Sequence, residues 1–283
     1  SIETPFTLIR WKAGDGITSW IDKASGDELL RNDRKHNAFT PIYEITPFNE
    51  NNGIRATRVK MGRNRKGMRV RRFTGLLKEV ELDTKGPLFA RVELKYELEG
   101  TDSYSVMLTA YSSIPRVDVS VRINKNNRLE PENVYIALPF TTGQGQKPQL
   151  WIEKTGHILR PRVDQLPGTG VDFYCVQEGV TYSSEEKGLV IAMPDTPMIQ
   201  LGPLEFGERQ LMGYNGIKED GEHLYSWVMN NYWETNFKGT IGGFYEFRFS
   251  VNWGKELGNP ETAITRCHSI NTGLIGIRVT DRI

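Results

Sequence analysis

The stretch Tyr245-Glu246-Phe247-Arg248-Phe249-Ser250-Val251-Asn252-Trp253 (YEFRFSVNW, 245–253) sets bulky apolar and polar side chains in strict alternation. Successive side chains of a β-strand point to opposite faces, so only a strand collects Tyr245, Phe247, Phe249, Val251 and Trp253 on one side. The same period runs through ARVELKYELEG (90–100) and RVDVSVRIN (116–124). Shorter runs at 6–11, 54–61, 68–73, 77–82, 104–111, 133–138, 180–183 and 188–193 read the same way. LVIAM (189–193) is apolar without interruption and is expected at the centre of a sheet. Gly- and Asp-rich turns separate the runs, as at 14–16, 25–27, 51–53, 85–87 and 219–221. Residues 13–30, AGDGITSWIDKASGDELL, predict a tight turn, a strand, a second turn and a further strand. One helix is expected, PETAITRCHSIN (260–271), with Asn259 as its cap and Pro260 in its first turn. So many short strands with so little helix imply an all-β fold, a large two-sheet antiparallel β-sandwich, as one domain over 1–283.

Charge is balanced, with 36 basic against 35 acidic residues, so no global attraction to nucleic acid or anionic membrane is expected. No apolar run approaches the roughly 20 residues of a membrane helix, and SIETPFTLIRW has neither the basic nor the apolar region of a signal peptide. Cys175 and Cys267 are expected to be buried free thiols, which with the missing signal favours the cytoplasm.

Motif searches return little chemistry. His36, His157, His223 and His268 lack zinc-site spacing, and no Cys-x-x-Cys occurs, so no metal is expected in this chain. There is no Gly-x-Ser-x-Gly elbow, no phosphate-binding loop and no carboxylate pair that stands apart from the polar faces of strands. The basic segment RVKMGRNRKGMRVRR (58–72) reads as a hairpin that either grips an anion or simply keeps charged, aggregation-resistant edges. It lacks interleaved aromatics for base stacking, so nucleic acid is not the expected partner. The loop-rich segment at 154–174 carries His157, Arg160, Arg162, Asp164 and Gln165 between prolines. It reads equally as a functional loop or as a crossover between sheets.

The segment WVMNNYWETNF (227–237) crowds rings against amides. Aromatic faces bury the apolar sides of sugars while amides and guanidiniums bond hydroxyls. Asn230, Asn231, Tyr232, Trp233 and Asn236, with Arg162 and Gln165 from the other loop, are therefore the candidate carbohydrate contacts. A strand is expected to end near Met229, with the asparagines holding the loop that follows.

Several stretches together resemble one family. WKAGDGITSWIDKASGDELL resembles the opening hairpin of the C-terminal β-domain of glycoside hydrolase family 38 α-mannosidases. IPRVDVSVRINKNNRLEPENVYIALPF is similar to its central strand pair, with Arg116-x-Asp118 and Glu132-Asn133-x-Tyr135. DQLPGTGVDFYCVQEGVTYSSEEKGLVIAMPDTPMIQLG is similar to the following crossover, and WVMNNYWETNF to the Asn-Asn-Tyr-Trp-x-Thr-Asn-Phe signature. The resemblance runs from about residue 8 to the end.

It implies a galactose-mutarotase-like supersandwich, a C-terminal fragment of a larger glycosidase. In that family an N-terminal α/β domain holds the zinc ion, the aspartate nucleophile and the acid. The implied partners are that catalytic domain of the same polypeptide and carbohydrate. A stand-alone carbohydrate-binding module is the alternative. A mutarotase-like enzyme using His157 or His223 beside a carboxylate is another.

Overall fold

The computed structural model describes residues 1–47, 69–145, 147–204, 210–214, 223–231 and 239–277. YEFRFSVNW lies within the twelve-residue strand Gly243–Gly254. Its apolar positions meet apolar positions across the ladder to Arg116–Lys125: Phe247 opposite Val121, Phe249 opposite Val119, Val251 opposite Val117. Register is fixed here because a one-residue slip would turn every large side chain out of the core.

This pair is the middle of a nine-stranded antiparallel sheet. In spatial order it runs His157–Leu159, Gln149–Lys154, Gly179–Ser183, Gly188–Ala192, Gly243–Gly254, Arg116–Lys125, Thr101–Tyr111, Phe89–Glu97 and Leu76–Lys85. A six-stranded sheet faces it, in the order Phe173–Cys175, Met198–Leu201, Leu224–Asn230, Glu132–Ala137, Pro41–Ile45 and Arg71–Thr74. A third, three-stranded sheet, Ile2–Glu3, Thr7–Lys12 and Gly16–Asp22, brings Trp20 into the common core. There Trp20 meets Phe140 at 5.3 Å and Trp253 at 6.5 Å, both edge to face, the geometry ring quadrupoles favour. The expected large two-sheet antiparallel sandwich is what the chain forms.

LVIAM is apolar throughout because both faces of Gly188–Ala192 are covered. Leu189 and Ile191 join the sandwich core, while Val190 and Ala192 pack on Ala263 and Cys267 of the helix Pro260–Thr272. The Asn259 side chain accepts from Thr262 N–H at 2.9 Å, and Pro260 opens the helix as its sequence predicts. At Gly188 a Cβ would fall 1.8 Å from the Leu257 carbonyl oxygen, so only glycine lets this strand pass under the short 3-10 turn Lys255–Gly258.

Three expectations need correction. No strand follows the turn at 23–27; residues 28–30 make only isolated bridges, Ile21 to Glu28 and Leu30 to Phe140. The Glu28 carboxylate turns inward and accepts from Trp20 N–H and Leu30 N–H, taking backbone donors that a ladder would otherwise use. Cys175 is exposed rather than buried, because Tyr174 takes the core side of its edge strand; both cysteines are free. The break in WVMNN comes earlier than the asparagines. The ladder register shifts so that Val134 faces Met229 while Tyr135 faces Trp227. Val228 is the extra residue of this bulge, so Trp227 points to the outer face and Met229 to the core, where unbroken period two would put both on one face. The strand ends at Asn230, one residue past the expected position. The expected strand at 54–61 and most of the basic hairpin lie outside the described residues; Arg71 and Arg72 begin the edge strand Arg71–Thr74.

Candidate functional site

The outer face of the six-stranded sheet gathers the ring-rich chemistry that the sequence places at 227–237. Five neighbouring strands, from Phe173–Cys175 to Pro41–Ile45, contribute to it, Met198 coming from the second. Tyr135 stacks on Trp227 with centroids 5.6 Å apart and planes 28° from parallel, and Phe173 meets the same indole edge-on at 5.9 Å. Ile42, Ala137, Leu204 and Tyr225 complete the apolar cluster.

Beside the rings runs a chain of polar links across the strands. Trp227 Nε1 donates to Asn133 Oδ1 at 3.1 Å, and Asn133 Nδ2 donates to Glu44 Oε2 at 3.0 Å. Arg72 Nε donates to Glu44 Oε1 at 2.7 Å. Glu44 and Asn133 have no exposed surface, and a buried carboxylate persists only where donors replace its water. His36 Nδ1 lies 3.0 Å from Tyr225 Oη, and His223 Nε2 lies 3.0 Å from the Asp33 carbonyl oxygen. Burial, followed by the charges of Arg72, His223 and Lys35, pushes the His36 imidazole down to about 4, so it is neutral at pH 7.

The predicted contacts divide. Asn230 is half-buried and sits opposite Asn133 at the end of its strand. Asn231 is buried: its Oδ1 accepts from Glu132 N–H at 2.5 Å, and its Nδ2 donates to the carbonyls of Glu130 at 3.1 Å and Gly239 at 3.4 Å. Its amide therefore clamps the strand exit to the start of Glu132–Ala137 and to residue 239. The Glu132 carboxylate in turn accepts from Tyr43 Oη at 2.5 Å and pairs with Lys125, joining the two sheets through a fully buried ion pair. Tyr232, Trp233 and Asn236 lie outside the described residues.

Arg162 and Gln165 hold their own loop. Gln165 Oε1 accepts from Arg162 N–H at 2.8 Å and from Tyr174 Oη at 2.7 Å, while Arg162 Nε donates to the Val171 carbonyl at 3.0 Å. Tyr174 lies level with Ser226 across Ile199. Asn230 is four residues beyond Ser226, roughly 13 Å further along the sheet and two strands across. Among the described contacts, Asn230 therefore lies apart from the Gln165–Tyr174 link. His157 and His223 are also apart, His157 on the exposed edge of the nine-stranded sheet and His223 buried next to the six-stranded one.

Sequence reasoning passed over Glu44 and gave Asn133 and His36 no place among the candidate contacts. The available signal was a lone acid inside the apolar run PIYEI (41–45) and an amide inside ENVYIA (132–137). Among the described residues no group of three or more His, Cys, Asp or Glu side chains is placed to hold a metal, and no helix is long and apolar enough to cross a membrane.

No protein-family model matches the sequence, and no curated protein sequence matches it. Solved structures do. An alpha-mannosidase from Enterococcus faecalis V583 superposes on 96% of this chain with a TM-score of 0.60 at 11% identity. A glycosyl hydrolase family 38 protein from Enterococcus faecalis superposes on 96% at 0.58 and 10% identity. An alpha-N-acetylgalactosaminidase from Bifidobacterium bifidum, a quadruple mutant, covers 96% at 0.50 and 10% identity. The chain spans 31%, 32% and 39% of those three chains. Over nearly all of its length, the chain thus has the fold of about one third of a family 38 glycoside hydrolase.

Proposed function

We propose that the chain is the non-catalytic C-terminal β-sandwich of an α-mannosidase-like glycoside hydrolase. In this reading it packs on an N-terminal catalytic domain of the same polypeptide and helps shape the edge of a carbohydrate site. The observation that carries the reading is the superposition of 96% of this chain on only about a third of an alpha-mannosidase. The site supports it in one further respect. The Asn231 amide fixes the strand exit at Asn230 and Asn231, the first two residues of the Asn-Asn-Tyr-Trp signature. Zinc belongs in this reading to the catalytic domain, as the family resemblance implies.

The purified 283-residue chain, assayed with an aryl α-mannoside and added zinc, is expected to give no turnover. Turnover that survives chelation and further purification would show that the chain is itself the catalyst and overturn the proposal.

A further inference from the structure

A groove of about 380 Å³ opens on the outer face of the nine-stranded sheet, on the other side of the sandwich from the ring cluster. That volume lies within the roughly 300–1,000 Å³ of small-ligand sites. Thr109, Asp118, Ser120 and Ser250 pave it from three adjacent strands, with Pro194 and the helix residues Ile270 and Asn271 on its walls.

Four guanidiniums line the groove: Arg91, Arg116, Arg122 and Arg248. Asp118 is the one acid in the lining, and its oxygens are already occupied. They accept from Arg116 Nε at 2.7 Å and Nη2 at 2.9 Å, from Tyr111 Oη at 2.7 Å and from Ser250 Oγ at 2.6 Å. The acids that hold the other arginines stand outside the lining. Glu246 takes Arg122 Nε at 3.0 Å, and Asp195 takes Arg248 Nε and Nη2 at 2.8 Å each. Asp83 lies 3.6 Å from Arg91 Nη1. These contacts fix the guanidinium planes. Among the described residues, no hydrogen bond to protein takes Nη1 of Arg116, Arg122 or Arg248.

We infer that this groove binds a small ligand bearing an oxyanion, a carboxylate or a phosphate, held by Arg116, Arg122 and Arg248. A planar guanidinium presents a fork of donors that matches two oxygens of such a group, and here the forks are held in place before the ligand arrives. The paving serine hydroxyls are spent, Ser120 Oγ donating to Glu246 and Ser250 Oγ to Asp118, so the guanidinium Nη1 groups are the donors left to a ligand. Glu246, Asp195 and Asp83, each beside one of the arginines, cancel their charge, so recognition is short-ranged and depends on reaching the forks. The inference stands independently of the mannosidase-like reading.

Titration of the purified chain, by calorimetry and by NMR, with glucuronate, glucose 6-phosphate, inorganic phosphate and glucose tests it. Saturable binding of at least one oxyanion is expected, weakening as salt is raised, with glucose bound at least tenfold more weakly (roughly 1.4 kcal/mol). Glucuronate alone binding points to a carboxylate ligand; inorganic phosphate binding as well as the sugar phosphate points to the phosphoryl group itself. Arg122→Gln is expected to weaken binding roughly tenfold with its melting temperature unchanged, since that side chain is exposed and its pair contributes little. Arg116→Ala is expected to do the same, and Arg122→Gln carries the test if the loss of the Asp118 partner unfolds that variant. Glucose binding as tightly as glucuronate, no saturable binding of any oxyanion, or unchanged affinity in Arg122→Gln would overturn the inference.

Discussion

On the outer face of the six-stranded sheet, Glu44 and Asn133 are wholly buried and linked to Trp227 and Arg72. On the outer face of the nine-stranded sheet, Arg122 and Glu246 pair with 41% of each side chain exposed, and Arg248 is 66% exposed beside Asp195. Both faces carry charged side chains cross-linked between neighbouring strands. What separates them is water. Where solvent is excluded, each polar link replaces a hydration shell and its loss leaves a stranded group; where solvent remains, water takes over when a partner is removed. The first face therefore serves stability, and the second keeps donors available to a ligand.

Mutations should expose that difference. The largest effect is expected from Trp227→Ala, which removes the ring stacked on Tyr135 and leaves Asn133 Oδ1 without its indole donor. A loss of about 3–5 kcal/mol in urea denaturation is expected. Glu44→Ala, which leaves Asn133 Nδ2 buried without its acceptor and removes the carboxylate from Arg72, should cost about 3 kcal/mol, moderated because Arg72 is 36% exposed. Asn231→Ala should cost about 1–3 kcal/mol, since Glu132 N–H and two carbonyls lose a buried partner. A fall in melting temperature with sugar binding unaltered marks Asn231 as the clamp; the reverse marks it as a contact. On the opposite face Glu246→Ala should cost less than about 1 kcal/mol. A loss as large as that of Glu44→Ala would erase the distinction between the faces.

Acid should separate the faces as well. His36 titrates near 4 in the folded chain and near 6.5 when unfolded, so between those values the unfolded chain binds a proton that the folded chain does not. Its contribution is present above about pH 6.5 and is lost as pH falls toward 4. His36→Gln should flatten that arm of the stability profile, measured as urea midpoints against pH.

The strands were legible wherever one face is buried and the other wet, because period two then appears directly in the sequence. Gly243–Gly254 and Arg116–Lys125 are cases, and the Asn259–Pro260 helix start was equally readable. Glu44 was hidden because its strand is buried on both faces, so no alternation marks it, and its partners come from strands far away in sequence. The orientation of Trp227 was not legible because one bulged residue, Val228, reverses the faces, and nothing in WVMNN announces a bulge that depends on the partner strand. Arg162 and Gln165 were correctly placed in a loop, but their hydrogen bonds to Val171 and Tyr174 depend on the folded crossover. The fold was thus largely written in local pattern, and the candidate site in contacts between distant strands.

The central claim, that these residues form the accessory sandwich of an α-mannosidase-like hydrolase, is tested most directly by expressing the complete reading frame that encodes them and assaying aryl α-mannoside hydrolysis. The account predicts zinc-dependent turnover that is lost on chelation, from a product carrying an additional α/β domain, and no turnover from residues 1–283 alone. A complete product without such a domain, or chelator-resistant turnover by residues 1–283, would contradict it.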